Sequence, residues 1–247
     1  MRRTTAMRTA MAATAAGALL VTGCGGTGGS TAADPTASGS AAGQPAGTAS
    51  ATTDGRTLPG VGPAMSAKVP ASARQAIVVY GASPTTSKSS VELFTKVDGR
   101  WQSGPQWPSH NAIHGWTRQH QEGDLKTPIG VFTLHDAGGL LADPGSKLPY
   151  HRSTAFTASP SWPASYQHDF DYVIAIDYNR VVGTSPADPT RPEGESKGGS
   201  IWLHLDHGVG TSACVTVSKD AMRYLLRTLD PAAHPVIVMG DTADLAS

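Results

Sequence analysis

Past residue 68 the hydrophobic positions come in short runs separated by Gly, Pro, Asn and Asp. Residues 76–80 (Ala-Ile-Val-Val-Tyr) are apolar throughout and close on Gly81. Residues 91–97 alternate apolar and polar, then meet Asp98-Gly99 and Arg100-Trp101, the pattern of a β-hairpin with a two-residue turn. Further strands are predicted at 130–134, at 172–178 (a near-continuous apolar run ended by Asn179), at 201–205 and at 235–239. One helix is predicted from Ser218, a favoured N-cap residue. Met222, Leu225, Leu226 and Leu229 follow at i, i+3, i+4 and i+7, and Asp230-Pro231 stops the run. Many strands and one late helix predict a mainly β fold, β-sandwich or barrel-like, rather than α/β. Two stretches rich in Pro, Gly and Ser, 137–169 and 183–199, are long enough to read as functional covers.

The first 68 residues differ in kind. Arg2, Arg3 and Arg8 precede a small, apolar stretch over 10–21 that is too short to span a bilayer and reads as an export signal. Leu20-Val21-Thr22-Gly23-Cys24 resembles a bacterial lipobox, in which the cysteine is lipidated and becomes the new N-terminus. From Gly25 to Lys68 the chain is Gly, Ser, Thr, Ala and Pro with almost no large apolar residue, a composition that cannot offset its ordering entropy by burial. The predicted organisation is a lipoprotein signal over 1–23, a disordered tether over 24–68 and a folded domain over 69–247. The expected location is the outer face of the cytoplasmic membrane, held by lipid on Cys24. The whole chain carries 19 basic and 19 acidic residues. Without the three signal arginines, 16 basic residues face 19 acidic ones, which argues against nucleic acid as a partner.

With Cys24 committed to lipid, Cys214 is left as a lone thiol in an exported protein, an unusual thing to keep. Its setting is Ser200-Ile201-Trp202-Leu203-His204-Leu205, a polar turn, and Thr211-Ser212-Ala213-Cys214-Val215. A strand delivering a histidine, followed by a small-residue segment presenting a thiol, is the layout of a cysteine nucleophile with a histidine base. His204 is the expected base, because it lies in the apolar strand and can be held rigidly, and the imidazole would hold the thiolate as an ion pair. His207 is the rival; it falls on the opposite face if the strand continues, or serves in the turn or in contacting substrate. Small residues around the thiol let a carbonyl approach, with the N–H groups of Ala213 and Cys214 facing its developing oxyanion. Trp202, Thr211 and Ser212 are further candidate substrate contacts. His204, Asp206 and His207 would also suit a zinc hydrolase, but no further ligand stands at readable spacing. No metal is expected. His110, His114 and His120 read as loop residues around Trp116.

Three segments carry a family resemblance. Gly123-Asp124-Leu125-Lys126-Thr127-Pro128-Ile129-Gly130-Val131-Phe132, the run from Tyr172 to Asn179 ending Ile-Asp-Tyr-Asn, and the His204–Cys214 block together resemble the L,D-transpeptidase catalytic domain (YkuD type) of bacterial cell-wall enzymes. The resemblance covers about 77–239, and the last block is its specific part. It implies that Cys214 attacks the amide before the terminal D-Ala of a peptidoglycan stem peptide and releases D-Ala. The resulting thioester is passed to the side-chain amine of a second stem, with no cofactor and with the chain acting as a monomer. Alternatives are an L,D-carboxypeptidase, in which water takes the acceptor's place, and a catalytically weak wall-binding lipoprotein. The sequence departs from the family pattern in a short His-to-Cys interval and in Ala213, which stands where the family has Gly. If the turn needs positive φ, Ala would strain it.

Overall fold

The computed structural model describes residues 55–247. The predicted signal, Cys24 and the tether up to residue 54 lie outside the described residues. In chain order the elements are α1 (Pro63–Ser66), β1 (Gln75–Gly81), β2 (Lys88–Val97), β3 (Arg100–His110), β4 (Trp116–Thr117), β5 (Thr127–Pro128), β6 (Gly130–Thr133), β7 (Ala137–Gly139), β8 (Tyr150–Arg152), β9 (Val173–Ala175), β10 (Trp202–Leu205), β11 (Val215–Val217), α2 (Lys219–Thr228), β12 (Val236–Asp241) and α3 (Thr242–Leu245). The fold is mainly β and sandwich-like, with mixed sheets and a helix following Cys214. One five-stranded sheet runs β3-β2-β1-β12-β6, with β1 and β12 parallel and the other pairs antiparallel. A second runs β11-β10-β9-β7-β8, with β10/β11 and β7/β8 parallel. The hairpin at Asp98-Gly99 forms as expected: both residues have positive φ (51° and 75°), the type I′ geometry that matches strand twist.

The apolar run of β1 is buried on both faces, and strand alternation explains where each side goes. Ile77 and Val79 join the main core with Val91 and Leu93 of β2, Leu203 and Leu205 of β10, Val215 and Val217 of β11, and Met222, Leu225 and Leu226 of α2. Ala76 and Val78 turn the other way, into a second cluster with Phe94, Trp101, Val236, Val238, Leu58, Val61, Met65 and Leu245. The folded unit therefore begins before residue 69, a correction to the predicted boundary. A strand pair apolar on both faces needs cover on its outer side, and Leu58, Val61 and Met65 supply it. Helix α2 follows its prediction: the Ser218 hydroxyl accepts from the Ala221 N–H, and Ala221, Met222, Leu225 and Leu226 are buried. Burying each of the larger three contributes about 1.5–3 kcal/mol.

The run at 172–178 is all at least half-buried but shorter as a strand than expected. Only Val173–Ala175 is laddered. Beyond it the Ile176 N–H donates to the Ile201 carbonyl and the Asp177 N–H to the Thr133 carbonyl, and Asn179 then takes φ 43°. The stretch after it is pinned by side chains. Asn179 Nδ2 donates to the Gly194 and Gly198 carbonyls, and Arg180, almost fully buried, bridges Asp136 (2.9 Å) and Asp177 (2.5 Å). Those bonds deliver the chain to Ser200 at the start of the segment that carries His204.

Candidate active site

The parallel pairing of β10 with β11 builds the site. Leu203 pairs with Val215 and Leu205 with Val217, and all four point into the main core. Side chains alternate, so Trp202 and His204 face the other way, and Cys214, one residue before β11, sits beside Trp202 with His204 on the diagonal. Trp202, His204 and Cys214 line one cleft of about 740 Å³. The Trp202 N–H donates to Cys214 Sγ (3.4 Å), and the thiol donates to the Ser200 carbonyl (3.7 Å). Ser200 holds φ 54°, a left-handed conformation that costs a non-glycine residue on the order of 1 kcal/mol.

Two histidines flank this thiol. The His204 Nδ1–H donates to the Leu205 carbonyl (2.9 Å), since a carbonyl only accepts. That fixes the tautomer and leaves Nε2 as the basic lone pair. Burial depresses His204 to about 4, with the Leu205 bond working against the shift. Burial pushes the Cys214 thiol up to about 11, opposed by the Trp202 N–H and reinforced by Asp169. The residue keeps some contact with solvent, which moderates that push. Both groups are therefore neutral at rest, and no hydrogen bond joins either imidazole to the thiol. This corrects the expected thiolate–imidazolium pair: burial disfavours both charges. Burial thus works against moving the proton from the thiol to the imidazole in the resting cleft.

His207 lies beyond the strand, in the turn that was one of the two places expected for it. The strand ends at Leu205, the chain turns, and the His207 ring enters the same cleft, nearly parallel to the His204 ring (21°) with centroids 6.3 Å apart. Its side chain is 2% exposed, its Nδ1 lies 2.8 Å from Asp169 Oδ2, and it stacks on Tyr166 at 4.0 Å. Rigidity therefore does not separate the two histidines; their partners do, a carbonyl for one and a carboxylate for the other. Trp162, Pro163, Tyr166 and Asp169 reach the cleft from the stretch 137–169, and Phe170 follows directly after it. Sequence reading named that stretch as a cover but singled out none of these residues, and nothing marked Asp169 except its place at the end of an aromatic, Pro-rich loop. The other stretch, 183–199, lines no part of the cleft.

The remaining candidates take distinct places. Ala213 is buried and, unlike five other non-glycine residues described, has no positive φ. Among the described residues the N–H groups of Ala213 and Cys214 donate to no acceptor. Thr211 is buried and holds the loop, its hydroxyl donating to the Cys214 carbonyl (2.7 Å) and its N–H to the Asn111 carbonyl. Ser212 is exposed on the cleft. Trp202 sits edge-on to Phe156 and Phe170. Asp206 turns to Thr216 Oγ1 (2.8 Å) and His110 Nδ1 (2.9 Å), and His120 pairs with Asp124.

No family model matches the chain, and no curated protein matches it. Among solved structures it is similar to Bd1075 of Bdellovibrio bacteriovorus, with 16% identity and a TM-score of 0.37 over 68% of this chain and 48% of that one. It is also similar to a fused Zn-dependent amidase/peptidase/peptidoglycan-binding domain-containing protein of Clostridium acetobutylicum, with 13% identity and a TM-score of 0.31 over 67% and 51%. The chain spans about half the length of these structures. Overlap of this depth identifies no family.

Proposed function

We propose that this chain is an exported acyl-transferring enzyme, a peptidoglycan L,D-transpeptidase working through a Cys214 thioester. The observation that supports it best is the shared cleft: a thiol and an imidazole whose tautomer is fixed so that its free Nε2 is a base. In this reading Sγ attacks the amide carbonyl before the terminal D-Ala of a stem peptide as the thiol proton moves to His204 Nε2. The N–H groups of Ala213 and Cys214, which have no acceptor of their own, stabilise the oxyanion. Collapse returns the proton to the leaving D-Ala nitrogen and leaves the thioester, which the amine of a second stem then opens. Lipid on Cys24 would hold the enzyme at the wall-facing side of the membrane.

The test is intact-mass analysis of the full-length chain incubated with a tetrapeptide stem, with and without an acceptor stem. An adduct on Cys214 that disappears in Cys214→Ala, with dimer formed when acceptor is added, is the expected result. Tripeptide in place of dimer would make the chain an L,D-carboxypeptidase. No adduct on folded protein would favour the wall-binding lipoprotein. Cys214→Ser should be inactive, because a hydroxyl is a far weaker acid than a thiol and His204 is a weak base.

A further inference from the structure

We propose that His207, held by Asp169, is the base that takes a proton from the incoming acceptor ammonium, so that the cleft uses one histidine for each half of the reaction. This rests on the acyl-transfer reading above. His207 Nδ1–H donates to the Asp169 carboxylate at 2.8 Å, both side chains are at most 4% exposed, and Tyr166 fixes the ring plane by stacking. The other ring nitrogen, Nε2, is buried and has no partner. Leaving a buried polar atom unpaired is costly, and this one belongs to a ring lining the same cleft as Cys214. The site thus keeps open a second proton acceptor that forming the thioester does not use.

The second half-reaction needs such a group. An acceptor amine arrives as an ammonium, ordinarily near pKa 10.4, and has no lone pair until a proton leaves. His204, depressed to about 4 by burial, is a poor sink for it. An imidazole backed by a carboxylate is a better one, because the imidazolium it becomes is paired at once. Asp169 also lines a second pocket, of about 320 Å³, with His168, Asp206 and Lys219, and Cys214 is not among the residues that line it. The titratable groups facing the pair are His204, Asp206, His168, Tyr166, Cys214 and Lys219.

The step balances as follows in atoms and protons. The ammonium gives one proton to His207 Nε2 and becomes a free amine. Its nitrogen attacks the thioester carbonyl, the C–N bond forms and the C–S bond breaks. The second proton shed by that nitrogen reaches the departing sulfur through His204 and restores the thiol. The proton on His207 passes to solvent, matching the one the released D-Ala amine gains when it becomes an ammonium. His207 is the catalytic residue of this step, and Asp169 is its positioning residue.

The experiment uses the full-length chain with a tetrapeptide stem as donor and a stem bearing meso-diaminopimelate as acceptor, following thioester formation and thioester aminolysis separately. In His207→Gln the ratio of aminolysis rate to acylation rate should fall about 100-fold at neutral pH. The loss should shrink as pH approaches the acceptor's pKa, where free amine is supplied by solution. Asp169→Asn should show the same signature more weakly. A ratio unchanged within about threefold, or a loss independent of pH, would overturn the proposal. A chain that never acylates defeats the acyl-transfer reading instead, and the pair is then judged by the His207 tautomer from ring-nitrogen NMR on wild-type protein. Protonated Nδ1 with bare Nε2 at neutral pH is expected; a proton on Nε2 rules His207 out as the base.

Discussion

Replacing Ala213 with glycine restores the residue that resembling enzymes carry, and the structure says the change will do harm. The reason to expect a gain is backbone strain, but Ala213 has no positive φ, so glycine relieves nothing. It does remove a methyl group from a side chain that is 9% exposed and part of the main core. Losing one buried carbon costs about 0.8 kcal/mol. Added freedom of the unfolded chain costs about 0.5–1 kcal/mol more. The sum, about 1.5 kcal/mol, corresponds to a fall in Tm of about 3–6 °C for a unit of this size. Thermal melting followed by circular dichroism reads the first quantity, and the time course of acylation by a tetrapeptide stem reads the second. Acylation should be unchanged or slightly slower. If Ala213→Gly acylated about tenfold faster with an unchanged Tm, the reasoning from φ and burial would be refuted.

Other outcomes follow from the same geometry. His204→Ala should lose acylation by about a hundred- to ten-thousand-fold, since in the proposed mechanism Nε2 accepts the thiol proton; a loss under about tenfold in quenched-flow acylation would transfer the role to another group. Stability should depend on pH through two opposed groups. His204 is depressed in the fold, so its contribution is present above about 6.5 and is lost as pH falls toward about 4, a loss of about 3 kcal/mol. Asp169 is raised to about 6 by burial, so its contribution is present below about 3.8 and lost as pH rises through 6. The windows overlap, so urea denaturation should show a shallow pH dependence between 4 and 6 in the wild type and a steeper loss on acidification in Asp169→Asn; equal slopes would contradict these directions. Cys24→Ala should abolish partition into the detergent phase; partition that survives the substitution would point to another anchor.

The two-fold alternation and the turn chemistry were legible in the chain because they are local. Asp98-Gly99 can close a hairpin on its own backbone preferences, and Ser218 with its apolar i, i+3, i+4 stripe specifies α2 wherever the rest of the chain goes. The pairing of Cys214 with His204 was legible for a related reason: ten residues separate them, and one short parallel crossover suffices to bring both to one face. The start of the fold was harder to place. Leu58, Val61 and Met65 are three apolar residues at the end of a long polar stretch, and their worth depends on the bare outer face of β1 and β12, which no local window contains.

The same limit applies at the site. The sequence by itself marked out Cys214 and His204 as the candidate nucleophile and base, with the strands that hold them, because period-two alternation assigns a face to each residue once a strand is granted. It left open whether His207 sits on the opposite face or in the turn, since alternation ends where the ladder ends, and that end at Leu205 is set by pairing with other strands. Only the tertiary structure decided that His207 meets Asp169, 38 residues earlier in the chain, and that burial makes His204 a weak base and Cys214 a weak acid. Partner choice and desolvation are properties of what surrounds a side chain. They come into being only when distant segments close around it.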